Sequence, residues 1–264
     1  MKVLVTVAEV AEVEDKFEVS DDEIAEQYLT YDLNEWDDYA VEEAVQLSEE
    51  EEDVEVITAT IGPERSEETI RMTLAKGADR AVRVWDEAIE SADYLDINSK
   101  ADLLAAVVEE ENPDLVLSGV QSGDKANGAT GVSLAQKIGF EWGAVVNKLE
   151  LDVDGGVATV HRELEGGVEE VTDIETPAVL TIQSGINEPR YASLRGIRQA
   201  QRKPLDVQTL EDISLDADVV ESPLAQTSMY KPESESDTTM WTGSPEDEAA
   251  QLADLLRNKG VVDA

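Results

Sequence analysis

Two spacings of apolar residues alternate along the first half of the chain. Short runs rich in Val, Ile, Leu and Ala recur at residues 3–7, 54–59, 81–84, 115–118 and 177–182. Their length and β-branched content predict strands buried in a parallel sheet. Between them the spacing becomes helical. Apolar residues at 40, 41, 44, 45 and 47 form one stripe. Ser66 offers an N-cap, with acids in the first turn, for a segment that runs to about Lys76 and stops at Gly77. A longer helical stretch covers Ser99 to Glu111 and meets Asn112-Pro113, and another covers Gly131 to Ile138 and closes at Gly139. Strand and helix alternate through residue 139, which predicts an α/β fold: a parallel twisted sheet with helices on both faces.

The pattern then changes. Residues 148–153 and 157–163 alternate around Asp154-Gly155-Gly156, which reads as strand, turn, strand. Gly166-Gly167 turns into a further alternating strand before the buried type returns at 177–182, so the intervening residues read as an antiparallel excursion. Two stretches look loop-like: an acidic one after Val7 to about residue 33, and 205–244, rich in Ser, Thr, Asp and Pro. Pro245 to Lys259 is amphipathic, with Leu252, Leu255 and Leu256 on one side. The organisation expected is an α/β domain over 1–204 and a C-terminal arm and helix over 205–264. That arm packs on another chain, or its helix folds back on its own sheet.

Charge changes the picture. The 264 residues carry 61 Asp and Glu against 20 Lys and Arg, a formal charge of −41. Self-repulsion on that scale destabilises a compact chain at ordinary ionic strength. Multimolar salt shortens the Debye length to about 3 Å or less and removes most of that cost. The acids are spread over most of the chain, which argues for a halophile-type protein and against a nucleic-acid mimic or a cation buffer. With 41% hydrophobic residues the chain can bury a sizeable core, and no apolar run reaches the length of about 18 that spans a bilayer. Met1–Val7 reads as a first strand rather than a signal peptide, so a cytoplasmic location is expected, without a nucleic-acid partner. The absence of Cys excludes disulfides, iron–sulfur clusters and thiolate zinc sites. The only histidine, His161, lies in an alternating strand and reads as a half-exposed strand residue rather than a member of a Ser–His–Asp triad.

Two segments stand apart from the acidic background. Arg190, Arg195, Arg198, Arg202 and Lys203 fall within 14 positions with no acid among them, and Leu194 stands inside this basic island, on a turn before a helix. The arginines either steer an acidic partner or pair with an acidic neighbouring subunit. The second segment is the loop Gly119 to Gly131, which joins a strand to a helix and contains four glycines. Glycine lets backbone approach a ligand closely, and the following helix presents free N–H groups, a natural place for phosphate. Thr130 adds a hydroxyl and Lys125 a cation, while Thr6, Ile61 and Gly119 fall at the carboxyl ends of strands, where ligands of parallel sheets settle. The loop matches neither GxGxxG nor the P-loop, and a flexible Gly-rich turn is the plain alternative. Asn34 precedes a helix and reads first as its cap.

The segment Ile186-Asn-Glu-Pro-Arg-Tyr-Ala-Ser-Leu194, followed by Ile197, Ala200 and Lys203-Pro204, resembles the signature of the β subunit of electron transfer flavoproteins. Further blocks fall in the same order: residues 40–45, Gly62-Pro63 with Glu68–Arg71, Gly77–Arg80, Pro113–Val116, Arg162-Glu163 with Gly166-Gly167, and Pro177–Val179. Together they cover most of residues 1–204. The resemblance implies a nucleotide-hydrolase-like Rossmann topology and a heterodimer with a homologous α subunit that holds most of the redox FAD. It also implies an AMP buried in this subunit by Thr6, Asn34, Ile61, Gly119, Asp124, Gly128, Ala129 and Thr130. The segment after Pro189 would dock acyl-CoA dehydrogenases, with Leu194 as apolar anchor beside Tyr191, Arg195, Ile197 and Arg198. Glu163 would contact the mobile flavin domain, and electrons would pass on to a membrane quinone reductase. Such a subunit is a carrier and not an enzyme in its own right. Two other readings are an electron-bifurcating relative with a second FAD in place of AMP, and a standalone adenine-nucleotide-binding module.

The midpoint of thermal unfolding is expected to fall when multimolar KCl is replaced by dilute buffer, and an unchanged midpoint contradicts the halophile reading.

Overall fold

The computed structural model describes residues 1–51, 53–92, 94–231 and 238–261. The chain forms two compact units, Met1–Met229 and Tyr230–Ala264. In chain order the first contains β1 (Lys2–Thr6), β2 (Glu9–Val13), β3 (Val19–Ser20), β4 (Glu23–Ile24), β5 (Leu29–Leu33) and α1 (Glu35–Glu50). It continues with β6 (Glu55–Ile61), α2 (Glu67–Lys76), β7 (Arg80–Val84), α3 (Glu87–Glu90), α4 (Ile97–Glu111), β8 (Leu115–Gly119) and α5 (Thr130–Ile138). The remainder is β9 (Glu141–Asp152), β10 (Val157–Leu164), β11 (Val168–Glu175), β12 (Ala178–Ile182), α6 (Leu194–Ala200) and β13 (Leu205–Gln208). The second unit contains α7 (Pro245–Asn258).

Nine strands make one sheet in the order β11-β10-β9-β12-β8-β1-β6-β7-β13. Every neighbouring pair from β9 to β13 is parallel, and β10 and β11 extend one edge in antiparallel fashion. This is the predicted α/β sheet with its excursion. Side chains of the central strands alternate between two helix layers, which is why their sequences are apolar almost throughout. Val3 and Val5 of β1, Leu117 of β8 and Leu180 of β12 share a buried cluster with Val41 and Ala44 of α1 and Ile70 and Leu74 of α2. Leu4, Val116 and Val179 face the other way, into a cluster with Leu103, Leu104 and Val107 of α4 and Leu134 of α5. Each fully buried leucine or isoleucine contributes about 1.5–3 kcal/mol of transfer free energy.

Three stretches differ from the sequence reading. β9 begins at Glu141 rather than 148, and its first half pairs in parallel with β12 while its second half pairs antiparallel with β10. The pattern conceals it because the strand bulges: Val145 has φ 63° and its N–H donates to Thr181 Oγ1 at 2.9 Å, breaking the two-residue period. The acidic stretch before residue 34 holds the hairpin β2–β5, whose mostly part-exposed positions accommodate acids that dilute the strand signal. After residue 204, β13 adds a parallel strand beside β7, and Leu210, Ile213 and Val220 are buried against the α4 layer.

The caps also differ in part. Asp96 caps α4 by accepting from Ser99 N–H at 2.9 Å, and Ser193 caps α6 by accepting from Gly196 N–H at 2.9 Å. Ser66 caps nothing; its hydroxyl donates to Glu9 at 3.1 Å, and a short 3₁₀ turn over Glu64–Ser66 leads into α2. In the second unit α7 starts on a capping box of Ser244 and Asp247 with Pro245 in the first turn, and none of its residues is buried. Among the described residues no helix is long and apolar enough to cross a membrane.

Candidate functional site

The chain crosses from one side of β1 to the other after β7, so the helices that follow β1 and β8 diverge. A cavity of about 770 Å³, part of it open to solvent, lies at the carboxyl ends of these strands. Thr6, Ile61 and Gly119, the last residues of β1, β6 and β8, line it together with Asn34, Gly128, Ala129 and Thr130. Asp124 is placed elsewhere. It borders an adjoining groove with Val13, Trp36 and Tyr94, and its carboxylate accepts from the Lys125 N–H at 2.7 Å.

The start of α1 ties this edge together. Asp37 is buried, and its two oxygens accept from Ala8 N–H at 2.8 Å and Gly119 N–H at 2.9 Å. One carboxylate therefore joins the ends of β1 and β8. Burial pushes the Asp37 carboxyl up to about 7, against the pull of those N–H groups and of Asn34. Asn34 does not cap α1 with its side chain. Its amide nitrogen donates to Gln121 O at 2.9 Å and its oxygen accepts from Gly123 N–H at 3.1 Å, so it braces the glycine-rich loop. Capping was the simpler expectation, but the loop offers the same amide a buried donor and acceptor at once.

The glycines serve the protein as well as the space beside it. A Cβ at Gly119 would stand 2.4 Å from Asp37 Oδ1 and 2.8 Å from the Trp36 carbonyl carbon, so only glycine lets β8 approach α1 this closely. At Gly131 the obstacle would be Thr181 Cγ2 at 2.7 Å. α5 has no side-chain cap, which leaves its first N–H groups facing outward as donors for an anion.

Two cations on the cavity wall escaped the sequence reading or were underweighted by it. Lys100, in the first turn of α4, was missed, and Lys125 lies on the loop. Burial first, and Lys125 second, hold the Lys100 ammonium below the usual lysine range, while Asp124 and Asp37 pull the other way. A signal for Lys100 existed: a cation near a helix amino end opposes the helix dipole and calls for another reason to be there. Asp37 gave none, since acids are ordinary in a first turn and Glu35 and Asp38 flank it.

The basic island divides. Arg190 turns inward onto α1, where it donates to Glu42 at 2.8 Å through Nε and to Glu49 at 2.6 Å. Asn187 joins it by donating to Glu43 at 2.9 Å and to Tyr39 O at 3.1 Å. Lys203 is likewise committed, donating to Leu74 O at 3.1 Å and Ala78 O at 2.5 Å, at the carboxyl end of α2. The guanidinium groups of Arg195 and Arg198 are exposed and make no hydrogen bond or ion pair among the described residues. Between these groups Tyr191 is 98% exposed, Leu194 78% and Ile197 41%. Glu163 lies apart, exposed on β10 opposite Glu169 of β11, and His161 is half-buried on the same strand. Among the described residues no cluster of acids and histidine could hold a metal ion.

The family described as electron transfer flavoprotein domain matches residues 22–213. An electron transfer flavoprotein subunit beta of Methylophilus methylotrophus is 44% identical over 262 residues, covering 97% of this chain and 98% of the relative. A subunit beta of Bacillus subtilis is 31% identical, covering 99% and 100%. One from Bos taurus is 35% identical over 218 residues, covering 82% and 84%.

Asp37 gives the site a pH signature. Its raised value means the folded state holds a proton that the unfolded state has released, so its contribution favours folding below the ordinary value of 3.8 and is lost as pH rises to about 7. Asp37→Asn removes that slope. The stability gap between parent and variant, measured by denaturant unfolding, is expected to shrink from pH 4 to pH 7; a gap independent of pH contradicts the assignment.

Proposed function

The chain belongs to the electron transfer flavoprotein β-subunit family, and on that premise we propose that it is half of a heterodimeric electron carrier completed by an α subunit. It takes electrons from acyl-CoA dehydrogenases and passes them toward a membrane quinone reductase, and is no enzyme by itself. The FAD that carries the electrons is held mainly by the α subunit. It is a cytoplasmic carrier suited to high salt, in keeping with the charge of −41.

The cavity suits an AMP with a structural role. The uncapped amino end of α5, the Thr130 hydroxyl and the lysines offer donors for a phosphate, and Ile61, Leu95 and Leu104 offer apolar walls for a base. Asp124 stands outside this lining, so its share in holding the nucleotide would come from the rim.

One observation carries the docking role. Leu194 and Tyr191 are exposed on a segment whose neighbours Asn187 and Arg190 are tied to α1, so apolar surface is presented on a restrained support. Burying one leucine contributes about 1.5–3 kcal/mol, enough to anchor a donor and still release it. Arg195, Ile197 and Arg198 border this anchor, and high salt screens the arginines more than it weakens the apolar contact. Glu163, on the separate β10–β11 edge, meets the mobile flavin domain, and the arm carrying α7 packs on the α subunit.

The test is made on the complex co-expressed with its α subunit. Mass spectrometry of released ligands is expected to find one FAD and one AMP; two FAD, or no adenine nucleotide besides FAD, contradicts the reading. Leu194→Ala in the intact complex is expected to lower kcat/KM for a dehydrogenase donor by roughly 10- to 100-fold. Unchanged transfer contradicts the anchor.

A further inference from the structure

The charge inventory of the cavity is opposite to that of the chain. Acids outnumber bases 61 to 20 overall, yet the cavity wall carries Lys100 and Lys125 and a single carboxylate, Asp37. Both oxygens of Asp37 are already engaged by the N–H groups of Ala8 and Gly119.

Lys100 differs from the other part-buried lysines. Lys2 donates to Glu111 O at 2.7 Å, Lys76 to Asp38 at 2.6 Å, and Lys203 to main-chain carbonyls at the end of α2. Lys100 is just as sequestered, but its ammonium makes no hydrogen bond or ion pair among the described residues. Its position near the amino end of α4 adds the unfavourable end of a helix dipole. An ammonium that has lost water without gaining an acceptor is costly. In a chain with acids in threefold excess, the other part-buried lysines have found acceptors and this one has not. An anion entering the cavity would supply what the protein does not. Lys125 is a weaker candidate, because it lies on the exposed loop beside Asp124 and its ammonium stands 5.4 Å from the Tyr94 ring centre.

We propose that Lys100 is the residue by which the cavity recognises an anionic group on its ligand, selecting a phosphorylated adenosine over the bare nucleoside. The proposal rests on the nucleotide reading of the cavity given above. It adds a specificity determinant carried by α4 rather than by the glycine-rich loop.

The experiment uses the two-chain complex, stripped of nucleotide and titrated calorimetrically with AMP and with adenosine at one fixed KCl concentration. The parent is expected to prefer AMP by at least roughly tenfold. Lys100→Met is expected to weaken AMP roughly 10- to 100-fold while leaving adenosine within about threefold, and Lys100→Arg to keep the preference. Lys100→Gln is the second neutral variant should the methionine impair folding, which the melting curve reports. Lys125→Met is expected to change the AMP-to-adenosine ratio less than Lys100→Met. Equal losses for AMP and adenosine, no loss for either, or a larger effect at Lys125 overturn the role of Lys100 while the nucleotide reading stands. A parent complex that binds neither AMP nor adenosine overturns both.

Discussion

A single buried carboxylate sets the geometry from which the site follows. Asp37 reaches from α1 to the main chain just after β1 and at the end of β8, the two strands between which the sheet changes direction. Strand ends at such a point diverge, and the N–H groups of Ala8 and Gly119 would otherwise lose these acceptors. Asp37 supplies both acceptors at once, although burial opposes its ionisation. Gly119 is the complementary half of the arrangement, since any side chain there would occupy the place of the carboxylate.

Helix α1 then serves two parts of the surface. Its amino end holds the cavity edge through Asp37 and the loop through Asn34. Its middle and later turns hold residues 187–190 through Glu42, Glu43 and Glu49. Trp36 adds a link to Gln183, just after β12, with its indole N–H donating at 3.2 Å. The glycine-rich loop and the segment bearing Leu194 therefore share one support whose core face, Ala40, Val41, Ala44 and Val45, is buried against the sheet. In a chain so rich in acids, Glu42 and Glu43 stand out as buried acids with assigned partners.

Much of this was legible in the sequence, and the parts that were not share a cause. Runs such as Leu115–Ser118 announce themselves because both faces are buried, and the glycine-rich loop because a ligand or a tight approach needs its backbone. The pattern shows which residues are apolar but not where a polar one turns. Arg190 and Arg195 look alike in sequence, yet one closes on α1 and the other faces solvent. Asp37 is indistinguishable from its acidic neighbours until the strand ends are brought beside it. The early part of β9 stays hidden because the bulge at Val145 shifts its period. Lys100 carried a faint signal, a cation at the wrong end of a helix, and only the cavity gives that signal a meaning.

Amide hydrogen exchange tests the Asp37 clasp directly. In the parent, the Ala8 and Gly119 amides are expected to be protected to a degree close to that of the central strands. Asp37→Ala is expected to release both amides and to speed exchange across residues 120–129, while β1 and β8 stay protected. Protection of Ala8 and Gly119 that survives the substitution would contradict it.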